Sequence, residues 1–142
     1  MKVGSGFISA FALAIVLSSG AKADDALGRA FYAADSSKNI LARVEASGEI
    51  SWKHDIGPLH DLHRLPNGNL LFQKSWTRVI ELNPKDNRIV WEYDATKNGN
   101  GSRKVEVHAF QGLANGLTMI AESGPGRIIE VDKAGRIRKQ IA

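Results

Sequence analysis

The 142-residue chain contains no cysteine. No disulfide can staple it, and neither a thiol nucleophile nor a thiolate metal site is available. An excess of one charge is missing too. Of 19 Lys and Arg, two (Lys2 and Lys22) lie in the first 23 residues, which leaves 17 against 15 Asp and Glu, a balance of +2. The two signs are interleaved rather than gathered into a basic stripe, which argues against a nucleic-acid partner. Long hydrophobic runs are absent apart from Phe7 to Leu17. With Lys2 before it and the small-x-small triplet Ala21-Lys22-Ala23 after it, that run makes Met1 to Ala23 a secretory signal peptide, too short and wrongly flanked for a membrane span. The expected product is exported, periplasmic or extracellular, with no transmembrane span after cleavage. Without disulfides, its stability must come from its core alone.

Short apolar runs separated by turn residues fill the remainder, residues 24–142. The densest stretch, His60 to Tyr93, holds Leu62–Leu65, Leu70–Phe72, Val79–Leu82 and Ile89–Tyr93, and reads as one four-stranded antiparallel sheet. Its strongest local signal is Asn67-Gly68, a pair that tolerates the positive φ angles of a two-residue hairpin. Similar grammar recurs on both sides. Glu49 to Asp55 matches Arg88 to Asp94 at an offset of 39, with Trp52 on Trp91. Downstream, His63 matches His108, Asn67-Gly68 matches Asn115-Gly116, and Arg78 to Leu82 matches Arg127 to Val131, at offsets of 45, 48 and 49.

Four strands per unit at a period of roughly 40 to 50 residues is the pattern of β-propeller blades. The fold class is therefore all-β: a partial β-propeller of about three four-stranded antiparallel blades. The blades are expected at residues 30–54, 60–93 and 105–142. The first shows only three strands, its fourth being of the kind that the other end of a closed ring supplies. A propeller ring typically needs four to eight blades, so the expectation is a fragment of a longer chain or closure by an oligomer. The polar loop Asp94 to Lys104 is expected to be a solvated connection between blades.

Val44 to Trp52, VEASGEISW, places an acidic residue, a Ser-Gly turn and a Trp at the spacing of a known repeat, and Leu82 to Trp91 is a looser copy. These stretches resemble the repeats of secreted pyrroloquinoline-quinone-like propellers, the quinoprotein alcohol dehydrogenase-like class. The resemblance implies that Trp52 and Trp91 are structural, docking neighbouring blades; a buried ring of this kind covers on the order of 150 Å² or more. In the third unit Lys139 stands where a Trp is expected. His60 to Asn69, HDLHRLPNGN, is similar to blades of arylsulfotransferase-like propellers. A propeller hosts many functions, so the fold narrows the chemistry little.

The candidate ligand-binding residues are His60, Asp61, His63, Glu106 and His108, with His63 and His108 the candidates for catalysis. Imidazole and carboxylate groups repeated around one axis can bind an anion or a metal, or act as acid and base; the alternative is that both histidines are structural. His60-Asp61-Leu62-His63 is not a zinc signature, because i and i+3 on a strand point to opposite sides. Gly124-Pro125-Gly126 precedes a strand, not a helix, and so is no phosphate cradle. Glu122 and Trp76, at hairpin ends, are expected to be solvated and packed respectively. No metal site is assigned and no cofactor is evident, pyrroloquinoline quinone entering only through the resemblance. The expected role is a ligand-binding or protein-interaction scaffold. Its partners would be other blades, another protein, or a small molecule at the channel mouth. The alternative is a propeller enzyme, transferring a sulfuryl group or oxidising an alcohol with quinone, that uses the channel histidines.

Overall fold

A computed structural model describes residues 28–98 and 104–141. The expected signal peptide, Met1 to Ala23, and the middle of the Asp94–Lys104 loop lie outside the described residues. The described chain is three antiparallel sheets in sequence order. The first holds β1 (Phe31–Asp35), β2 (Ile40–Val44) and β3 (Ile50–Asp55). The second holds β4 (Leu62–Arg64), β5 (Leu70–Ser75), β6 (Arg78–Asn83) and β7 (Arg88–Asp94), and the third β8 (Val107–Gly112), β9 (Thr118–Glu122), β10 (Arg127–Val131) and β11 (Ile137–Ile141). One 3₁₀ turn, Ala95–Lys97, follows β7. Within each sheet every strand pairs with its neighbour in sequence, the meander expected of a blade. Two sheets have the expected four strands and the first has three.

One turn geometry recurs. Gly68 N donates to Leu65 O at 2.9 Å and Leu65 N to Asn69 O at 2.8 Å. Gly68 has a positive φ of 85°, whereas Asn67 does not join it there. The expected two-residue hairpin is therefore corrected to a type I turn over Pro66-Asn67 closed by a left-handed glycine. Proline's fixed φ favours that first turn position, and the Asn67 side chain accepts from Asn69 N at 3.0 Å. The same two backbone bonds close the turns at Gly48, Gly116 and Gly135.

A second repeated device acts on the outermost strand. Each sheet breaks register once between its last two strands, at Arg43/Val44, Glu81/Leu82 and Glu130/Val131. A bulge re-aims the side chain beside it. The residues placed opposite Arg43, Glu81 and Glu130 are Trp52, Trp91 and Lys139. Lys139 thus occupies the tryptophan position in the third sheet.

Both indoles reach from the edge of one sheet to a turn of the next. Trp52 Nε1 donates to Asn87 Oδ1 at 3.0 Å, and Trp91 Nε1 to the Asp132 carbonyl at 3.3 Å. Trp91 is buried, with the Lys133 ammonium 5.4 Å from its ring centroid. Beneath these rings lie two cores. Leu41 and Ile56 meet Leu70, Phe72, Ile80 and Leu82 between the first and second sheets. Leu71, Val79, Trp91 and Tyr93 meet Phe110, Ile120, Ile129 and Val131 between the second and third. Strand alternation sends one set of β5–β7 side chains each way, so the second sheet is covered on both faces.

Removing the Trp91 ring opens a cavity at the larger core and strips the cap from its edge. Trp91→Ala is expected to lower unfolding stability by about 3–5 kcal/mol, and Trp52→Ala, at a half-buried site, by less. Urea denaturation of the two variants reads the difference; equal and negligible losses would show that the rings do not hold the sheets together.

Candidate functional site at the seam of the second and third sheets

The site begins with a buried amide. Gln73, on β5, is fully buried; its Oε1 accepts from His60 N at 2.6 Å and its Nε2 donates to the Val107 carbonyl at 2.7 Å. One side chain thus ties the segment entering β4 to the first residue of β8. Val107 N in turn donates to Trp76 O at 2.8 Å, which pins the β5–β6 turn to the same strand. The sequence gives no motif for Gln73. The one signal available was a glutamine inside an otherwise apolar strand, where a buried amide must find partners for both ends.

These ties bring His60 and His108 together. Their rings stack with centroids 5.1 Å apart, and Trp76 lies 4.8 Å from His60 on its other side. Trp76 is 42% exposed, so the expectation of a packed Trp is corrected: it forms the open end of an aromatic row. Glu106 stands beside His108, with its Oε2 3.7 Å from Nε2, and pairs with Lys104 at 2.9 Å. The Lys104 hydrogen bond and charge, with smaller help from His108 and His60, hold the Glu106 carboxyl below its usual range, and Glu106 raises Lys104.

His63 belongs to a neighbouring group. Its Nε2 is 2.8 Å from Asp61 Oδ2, and its ring meets Phe110 edge-on at 5.5 Å across the seam. The expected equivalence of His63 with His108 is corrected by strand register. Leu62 pairs with Phe72 as Phe110 pairs with Ile120, which makes Gln111 the counterpart of His63 and His60 the counterpart of His108. The offset is then 48, the same as between the two Asn-Gly turns.

Below this rim, Glu122 is 2% exposed, which overturns the expectation of a solvated carboxylate. Arg127 Nε meets its Oε2 at 2.6 Å, and the Tyr93 hydroxyl donates to its Oε1. Arg127 also donates to Asn98 O at 2.8 Å, joining the end of the 3₁₀ turn to the third sheet. Burial, reinforced by the neighbouring carboxylate, pushes the Tyr93 phenol well above its ordinary value. Glu81 is a second buried carboxylate at this seam. Burial pushes its pKa up, but hydrogen bonds from Lys133, Asn69 and Asn67 outweigh that and hold it below the usual range. Gly124 packs its turn against the strand entry, where a β-carbon would fall 1.7 Å from the Lys104 carbonyl.

Among the described residues, no group of three His, Cys, Asp or Glu side chains could hold a metal ion. No described helix is long and apolar enough to cross a membrane.

A profile of the family described as outer membrane protein assembly factor BamB matches residues 36–139. The chain belongs to this family of PQQ-like propeller-repeat proteins. The three meandering sheets are in keeping with that repeat architecture. No curated protein matches the chain. Among solved structures it is similar to a protein of unknown function from Bacteroides caccae, at 19% identity and a TM-score of 0.60. The match covers 77% of this chain and 39% of that one, so the chain spans about two fifths of the length of its structural relative.

Gln73→Leu keeps the volume but strands the His60 N–H and the Val107 carbonyl. A stranded buried polar group costs about 1–3 kcal/mol. The variant is expected to lose that much stability and to lose the mutual ring-current shifts of the His60 and His108 imidazole NMR signals. Unmoved imidazole signals in a folded variant would mean that something other than Gln73 positions the pair.

Proposed function

We propose that this chain is an exported propeller module that recognises another polypeptide through the exposed rim formed by Trp76, His60, His108, Glu106 and Lys104. The observation that carries this reading is the Trp76–His60–His108 row, solvent-facing yet held by the buried Gln73. A fixed aromatic surface loses little conformational freedom on binding, and exposed tryptophans flanked by polar groups are the usual anchors of protein interfaces. Lys104 and Glu106 add one charge of each sign beside the rings. The family description points to the partner class: polypeptides undergoing assembly into the outer membrane.

A second reading draws on the Asp61–His63 hydrogen bond. A carboxylate fixes the imidazole tautomer, so the pair could serve as general base or nucleophile in an arylsulfotransferase-like transfer. No cofactor is proposed for either reading.

Binding is tested by titrating the protein with an unfolded outer-membrane β-barrel polypeptide and following Trp fluorescence or anisotropy. Trp76→Ala is expected to weaken binding at least about tenfold, which corresponds to 1.4 kcal/mol, while Ile89→Ala, on the outer strand of the second sheet, leaves it unchanged. Equal affinity for Trp76→Ala and parent defeats the scaffold reading at this rim. Turnover of an aryl sulfate that vanishes in His63→Ala would replace it with the enzyme reading. Export is tested separately: Leu13→Arg, in the apolar run of the leader, is expected to leave an uncleaved precursor inside the cell, seen by fractionation and mass.

A further inference from the structure

Two residues beyond each seam tryptophan stands a second ring, and the two seams treat it differently. Register puts His54 of β3 at the position that Tyr93 holds on β7. Tyr93 is buried, and its hydroxyl donates to the Glu122 carboxylate of the third sheet. His54 is half-buried: its ring lies parallel to Trp52, with centroids 5.8 Å apart, and meets Phe72 of the second sheet edge-on at 6.0 Å. Among the described residues neither of its ring nitrogens has a hydrogen-bond partner. At the place of Glu122 the second sheet carries Lys74 and Ser75, across the break in register after Gln73. The phenol meets a carboxylate from the opposite sheet, and the imidazole meets none.

The charged groups that act on His54 are Asp55, from its own strand, and Lys74, from β5. From β2 and β6 this seam receives Leu41, Ile80 and Leu82, which carry no charge. A neutral imidazole suits such a slot, whereas its cation gives up water there and gains no acceptor. Burial accordingly holds the His54 pKa below its ordinary value, with Asp55 opposing the shift and Lys74 adding to it. An undocked ring then takes up a proton more readily than a docked one. The seam is at full strength above the ordinary imidazole range and weakens as the pH falls through it.

Little else locks this seam. Gln73–Val107, Glu81–Lys133 and Tyr93–Glu122 all join the second sheet to the third. Among the described residues, Trp52–Asn87 is the one side-chain hydrogen bond that joins the first sheet to the second. The core between them is the smaller of the two.

We propose that His54 is an acid-sensitive joint: protonation of its imidazole undocks the first sheet from the second while the second and third stay together. Undocking uncovers Leu70 and Phe72, so acid converts a closed seam into an apolar surface.

The test is native-state amide exchange of the protein at about pH 7.5 and about pH 5, on either side of the ordinary imidazole range. Protection factors in β2 and β3 are expected to fall at least about threefold relative to those in β6 and β10. His54→Phe keeps a ring in the slot that cannot take a proton, and is expected to abolish the fall. In the unsubstituted protein, the His54 Cε1–H NMR signal is expected to titrate at lower pH in the folded state than in urea, a reading that needs no variant. Titration at or above the urea value would overturn the proposal, by showing that the Trp52 face stabilises the cation. An equal fall in all three sheets, or a fall that persists in a folded His54→Phe variant, would overturn it as well.

Discussion

Everything in this structure depends on covering both faces of thin sheets. A four-stranded meander has two apolar faces and too little volume to bury either by itself, so each sheet is stable only against a neighbour. The second sheet meets this condition on both sides: Leu70, Phe72, Ile80 and Leu82 turn one way, and Leu71, Val79, Trp91 and Tyr93 the other. The bulge before the last strand then swings an indole across the edge onto the next turn. Edge and face are closed by one device, used at both seams.

Buried charge serves a different purpose. Burying a carboxylate is costly unless it is paired, and pairing in the interior seldom adds much net stability. Glu81 meets Lys133 from the next sheet, and Glu122 on the third sheet meets the Tyr93 hydroxyl from the second. A slip of one sheet against its neighbour would leave these carboxylates short of partners. Gln73 acts by the same logic without charge, since both ends of its amide are committed. The apolar cores hold the sheets together, and these polar groups set where they stop sliding.

The architecture was legible in the sequence because turn chemistry and strand length are local. Asn67-Gly68, Asn115-Gly116 and the two tryptophans marked the period, and the strand positions agree to within about three residues. What was less legible was which residues of neighbouring sheets are equivalent, and which side chains the docking buries. His63 and His108 share a residue type, while the register assigns His108 to His60 at the offset of 48 that the two Asn-Gly turns also show. Burial of Glu122 also escaped, since a carboxylate beside Ser-Gly-Pro-Gly reads as solvated until Arg127 and Tyr93 arrive from other strands. Trp76 misled in the opposite direction: indoles are usually packed, and this one sits on a turn whose neighbours cover only one side.

The corrected equivalence changes what the histidines mean. Groups at matching positions of adjacent sheets are neighbours by construction, because docking repeats the same displacement from one sheet to the next. His60 and His108 therefore stack without any dedicated motif, and Trp76 joins them because its turn hydrogen-bonds to the strand that carries His108. His63 has Gln111 as its counterpart, so it stands outside this relation and takes its partner from its own segment, Asp61. A repeat fold thus separates two kinds of imidazole: one placed by the symmetry of the sheets, which builds a surface, and one placed by its local chain, which makes a chemical pair. The first kind extends across a seam and suits an elongated polypeptide; the second is confined to a few ångströms and suits a single reacting group.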